Sequence, residues 1–63
     1  MDKESTYQLD KMVNGQWVQF RKYPHTTFGM GEAFRRVDVF TYGRISSRVI
    51  DSETGDTIME VNL

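Results

Sequence analysis

Catalytic chemistry has few places to reside in this chain, which contains one histidine, His25, and no cysteine. Nucleophilic catalysis needs a nucleophile, a base and usually a third group to orient the base, all within hydrogen-bond reach. His25 stands beside Pro24 in a stretch that reads as a loop, with no carboxylate and no second histidine within a few positions. It is expected to be a surface histidine. The same isolation argues against a metal centre, which needs several convergent ligands, so the sequence assigns no metal, no cofactor and no catalytic residue. The acidic run Asp51-x-Glu53-x-x-Asp56 lacks the ligand pattern of a calcium loop and reads as a solvated turn. Gly29-Met30-Gly31 lacks the third glycine, the preceding strand and the lysine of a phosphate loop. Enzymatic activity is not expected.

Binding chemistry is better represented. Arg21-Lys22-Tyr23 lies close to Trp17, and Arg35-Arg36 follows; cations can track phosphates while aromatic rings stack on bases. The net charge of -1 conceals a block structure, with -2 over residues 1–10, +5 over 11–48 and -4 over 49–63. Such asymmetry can mark a nucleic-acid partner, and Trp17, Arg21, Lys22, Tyr23, Arg35 and Arg36 are the residues that would serve it. Two considerations weigh against this reading. Strand alternation sends Arg21 and Lys22 to opposite faces, and acidic strands lying beside basic ones would neutralise them within the fold.

The elements that must position these residues begin with two strand-like runs, 7–13 and 16–23, separated by Asn14-Gly15. Asn-Gly accommodates the two positive φ angles of a type I′ turn, which matches strand twist. An uninterrupted two-residue hairpin opposes Val13 to Gln16, Lys11 to Val18, Leu9 to Phe20 and Tyr7 to Lys22 on one face. The other face carries Met12 with Trp17, Asp10 with Gln19 and Gln8 with Arg21. Leu9, Val13, Val18 and Phe20 make the first face the core face, so Trp17 and Met12 point away from the core. Pro24, which has no N–H for a ladder, ends the strand.

Apolar residues at 30, 33, 34, 37 and 40 then trace the stripe of an amphipathic helix over about 29–42, with Gly43 placed to stop it. Gly29 and Gly31, and the β-prone run Val37 to Tyr42, are its weak points. Residues 45–51 and 57–63 flank a turn-rich segment and form a second hairpin, in which Ile45, Val49, Met59, Val61 and Leu63 share the core face. Ile50 with Ile58 and Arg48 with Glu60 occupy the other. The elements read ββαββ, an α+β fold with one antiparallel four-stranded sheet and one helix packed on one face. Ala33, Phe34, Val37 and Phe40 are expected to meet Leu9, Val18, Phe20, Val49 and Val61. At 63 residues the chain is one small domain, and residues 1–6 are expected to be flexible.

An Asn14-Gly15-x-Trp17 hairpin, a Glu32-Ala33 amphipathic helix and a terminal Arg48-Val49-Ile50-Asp51-x-x-Thr54-Gly55 hairpin resemble, in style, many short accessory proteins encoded by bacteriophages and prophages. The resemblance implies a phage origin and a protein that binds and modulates host machinery, in the host cytoplasm. It carries over no particular target and no functional residue. The residues themselves place Met12, Trp17, Gln19, Arg21, Arg48, Ile50 and Ile58 on the uncovered sheet face, a mixture rich in the types that anchor protein interfaces. A host protein is therefore the expected partner, nucleic acid the alternative, and a homodimer through the same face is compatible with both. No apolar run is long enough to span a bilayer, and residues 1–5, with no basic region followed by an apolar stretch, are not expected to begin a secretion signal.

Overall fold

The computed structural model describes residues 5–63. The chain forms β1 (Thr6–Val13), β2 (Gln16–Pro24), α1 (Thr27–Tyr42), β3 (Ser47–Asp51) and β4 (Thr57–Val61). The four strands make one antiparallel sheet in the order β2-β1-β3-β4, and α1 packs on it. This is the ββαββ arrangement expected, with the helix carrying the chain from the β2 edge back to the β1 side. Thr6 already belongs to β1, its N–H bonding to Ser52 Oγ at 2.9 Å and its carbonyl accepting from Ser52 N–H at 3.0 Å. Residue 6 is thus held in place, and residues 1–4 of the expected flexible segment lie outside the described residues.

The first turn forms as its sequence dictates, with Asn14 at φ 52° and Gly15 at φ 80°. The ladder from Val13–Gln16 to Asp10–Gln19 is in the expected register, but Leu9 then faces Arg21 and Tyr7 faces Tyr23. Phe20 is the extra residue of a bulge. Every pair beyond it shifts by one, so Arg21 moves to the helix side, Lys22 moves to the open side, and Tyr23 replaces Lys22 opposite Tyr7. The buried core is consequently Tyr7, Leu9, Tyr23, Ala33, Val37, Phe40 and Val49. Val13 and Val18 are exposed, Val18 at 43 %, and Phe20 lies at the rim at 36 %, its ring edge-to-face with Phe40 at 5.1 Å. These three do not join the sealed core.

Helix α1 starts at Thr27, two residues before the expected 29, because Thr26 caps it: Thr26 Oγ1 accepts from Gly29 N–H at 2.9 Å. Gly29 is required at its place, since a Cβ there would run into the Pro24 carbonyl oxygen, whereas Gly31 faces open space. At the other end the chain does stop at Gly43, but the left-handed residue is Arg44, at φ 66°. Arg44 N–H bonds to Thr41 O at 2.9 Å and Ile45 N–H to Phe40 O at 2.8 Å, a Schellman closure. That closure keeps Ile45 out of β3, which begins at Ser47, although Ile45 still packs against the core.

The second hairpin opposes Arg48 to Glu60 and Val49 to Met59 as expected, then shifts, so that Ile50 faces Thr57 and Ile58 is the extra residue. β4 ends at Val61; Leu63 is exposed rather than in the core, with its N–H bonded to Ser46 Oγ at 2.8 Å. No helix among the described residues is long and apolar enough to cross a membrane.

Candidate functional site

The sheet face away from α1 is built from alternate residues of all four strands. Met12 opposes Trp17, Asp10 lies between Gln19 and Arg48, and Gln8 lies between Lys22 and Ile50. At its centre is Asp10, a charged side chain only 3 % exposed on a face that no helix covers. Its neighbours do the covering. Arg48 Nε donates to Asp10 Oδ2 at 3.0 Å, and Gln8 Nε2 donates to Oδ1 at 2.9 Å, so both carboxylate oxygens are satisfied, as a buried anion requires. Arg48 stands opposite Glu60 in the ladder, yet its ion pair is with Asp10. The Arg48 guanidinium is then held over the Trp17 ring, 4.4 Å from its centroid, in cation–π contact. Trp17, Arg48 and Asp10 therefore form one contiguous stack on the open face, with the Arg48 guanidinium linking the Trp17 ring to the buried carboxylate.

Of the residues expected on this face, Met12, Trp17, Gln19, Arg48 and Ile50 are there, with Trp17, Met12, Arg48 and Ile50 half-buried and Gln19 exposed. Ile58, the bulge residue, lies on β4 diagonal to Ile50 and is 39 % exposed. Arg21 is not among them. The bulge at Phe20 turns it to the helix side, where it lines a shallow groove with Tyr23, Glu32, Arg35, Arg36 and Val39. Four of the residues considered for nucleic acid, Arg21, Tyr23, Arg35 and Arg36, thus converge between β2 and α1, while Trp17 and Lys22 belong to the opposite face. Phe20 sits at the end of that groove with Lys11 Nζ 5.2 Å, Arg21 5.6 Å and Arg36 5.7 Å from its ring centroid. None of Arg21, Arg35 and Arg36 makes an ion pair among the described residues.

A further cluster forms where the sequence suggested isolation. His25 is not a lone surface histidine: it is half-buried, its ring stacks on Tyr7 at 4.3 Å, and its Nε2 lies 3.0 Å from Asp51 Oδ1 and 3.8 Å from Glu53 Oε1. The hydrogen bond to Asp51 raises the His25 pKa above its ordinary value, against a smaller opposing effect of burial. Reciprocally, the bond from His25 lowers the Asp51 pKa, and the Glu53 backbone N–H at 2.9 Å helps. Sequence spacing could not reveal this meeting, because the partners are 26 positions apart and meet only through the sheet order. The Asp51–Glu53 run is accordingly more than a solvated turn.

Against family models, curated proteins and solved structures alike, the chain finds no match.

Proposed function

We propose that this protein is a non-catalytic binding module that docks a protein partner on the open face of its sheet, with Trp17 as the anchor. The observation that carries the reading is the Trp17–Arg48–Asp10 stack. Trp and Arg are the residue types enriched at interface hot spots, and here the arginine is fixed by an ion pair before any partner arrives. Such preorganisation lowers the ordering cost of association. Met12, Ile50 and Ile58 supply apolar area around the stack, and Gln8 and Gln19 supply hydrogen-bonding rim.

Resemblance to phage accessory proteins favours a host protein as the partner, modulated or inhibited in the host cytoplasm, over a second copy of the chain. Capture from bacterial lysate with wild-type protein and with Trp17→Ala, each with and without nuclease, tests this. A partner retained by wild type after nuclease and lost by the variant is the expected result; equal capture by both overturns it. Light scattering of the isolated protein separates the homodimer, which would be lost by the same variant with no lysate present.

A second reading has its own observation, the convergence of Arg21, Tyr23, Arg35 and Arg36 beside Phe20. A groove of arginines that make no ion pair among the described residues, with an aromatic at its end, suits single-stranded nucleic acid. Log affinity would then fall steeply with log salt, and Arg35→Ala rather than Trp17→Ala would weaken binding.

A further inference from the structure

We propose that His25, Asp51 and Glu53 form a three-ligand site for a divalent first-row transition metal ion, which clamps the β2–α1 corner to the β3–β4 loop. One ligand atom from each residue lies within 4.8 Å of the others. Two ligands at right angles on an ion with bonds of about 2.1 Å stand about 3.0 Å apart. His25 Nε2 and Asp51 Oδ1 are 3.0 Å apart, so they already span one edge of such a coordination shell. Glu53 Oε1 has to approach Nε2 from 3.8 Å, and its exposed side chain can do so without disturbing the sheet.

The surroundings favour ligation beyond the three donors themselves. Stacking on Tyr7 fixes the plane of the imidazole, which comes from the corner between β2 and α1, while Asp51 is the last residue of β3. Ser5 Oγ donates to Glu53 Oε2 at 2.9 Å, leaving Oε1 for a metal. Supporting hydrogen bonds of this kind orient ligands and tune affinity. One imidazole with two carboxylates selects zinc, cobalt, nickel or manganese ions; magnesium and calcium call for more oxygen donors than the cluster offers. The dication would replace the proton that now bridges His25 and Asp51, and water would fill the remaining positions. A metal-free ion-pair network, with His25 bonded to Asp51 and Glu53 3.8 Å away, is the competing account, and it gives no reason for Zn²⁺ to bind.

The experiment uses the full chain after chelator treatment, with Zn²⁺ as the probe, followed by calorimetry, the NMR signals of the His25 ring and thermal melts. Because His25 is the only histidine and there is no cysteine, its ring signals report on one site. The expected result is saturable one-to-one binding with displaced ring signals and a raised Tm, and no response to Mg²⁺ at the same concentration. Glu53→Gln should weaken Zn²⁺ binding at least about tenfold while leaving the metal-free protein folded, and His25→Ala should abolish it. Unmoved ring signals in folded wild-type protein at millimolar Zn²⁺ would overturn the proposal. So would undiminished affinity in Glu53→Gln, or a Mg²⁺ response equal to that of Zn²⁺. If His25→Ala does not fold, the wild-type ring signals and Glu53→Gln still decide.

Discussion

On the helix side of the sheet, Leu9 and Val49 face each other across β1 and β3, both wholly buried beneath Ala33 and Val37. One position along the same two strands, on the opposite side, Asp10 and Arg48 face each other as an ion pair whose guanidinium stacks on Trp17. The two pairs share backbone, register and depth within the sheet. Their contents differ entirely: one side is sealed by apolar volume, the other by pairing. A core of the first kind tolerates shape changes gradually, whereas a layer of the second kind fails when one member is removed, because its partner remains buried without compensation. The open face is therefore a satisfied polar layer with one aromatic ring stacked on its arginine, and under the proposed function that ring is what a partner would contact.

Truncation on the sealed side should have the largest effect. Leu9→Ala removes a fully buried side chain and should cost about 2–5 kcal/mol, enough to leave so small a domain largely unfolded in a thermal melt. Phe20→Ala, at the rim, should cost clearly less than Leu9→Ala; equal losses would mean that the bulge does not hold Phe20 outside the core. Arg48→Met tests the paired side. It leaves the Asp10 carboxylate with Gln8 alone, a loss of about 1.5–3 kcal/mol by denaturant titration, and adding Asp10→Leu should recover part of it. No recovery would mean that the open face is sealed by packing after all.

Trp17→Ala should cost folding only about 0.2–1 kcal/mol while costing partner binding at least about 2 kcal/mol. A melt showing the reverse order would remove Trp17 from the binding surface. The smallest effect belongs to the rim, where His25 and Asp51 join the two hairpins. The raised pKa of His25 means that its contribution is complete below its ordinary value of 6.5 and is lost as pH rises through the folded-state value. The lowered pKa of Asp51 means that its contribution is present above its ordinary 3.8 and is lost as pH falls through the folded-state value. In metal-free protein, the Tm difference between wild type and His25→Ala should thus be widest between pH of roughly 4 and 6.5. A difference that is flat with pH would show that the pair does not contribute.

Local signals in the sequence served where the physics is local. Asn14-Gly15 specified its turn, the 30-33-34-37-40 stripe specified α1, and strict alternation placed Met12, Trp17 and Arg48 on the face away from the helix. Alternation failed beyond Phe20 because one inserted residue reverses the facing of every later side chain. The sign of that insertion is present in retrospect: large apolar residues fall at 18, 20 and then 23, a spacing of two followed by three. Tyr23 joined the core for that reason, opposite Tyr7, which alternation had already placed on that side, and Arg21 left the open face for the same one. The pairing of Asp10 with Arg48, and of His25 with Asp51, depends on which strands become neighbours. Strand order is set by the crossing of α1, and no short window of sequence contains it.

Both irregularities of the sheet fall on its outer strands, with Phe20 inserted in β2 and Ile58 in β4. A regular outer strand is a template on which a neighbouring molecule can add its own, and such growth ends in aggregation. An inserted residue breaks the even run of outward N–H and C=O groups and coils the strand away from a flat approach. Pro24 at the end of β2 withholds one more donor there, and Arg21 and Lys22 add repulsion between like copies. The same bulge that redistributes side chains between the two faces thus also keeps crowded molecules from joining edge to edge.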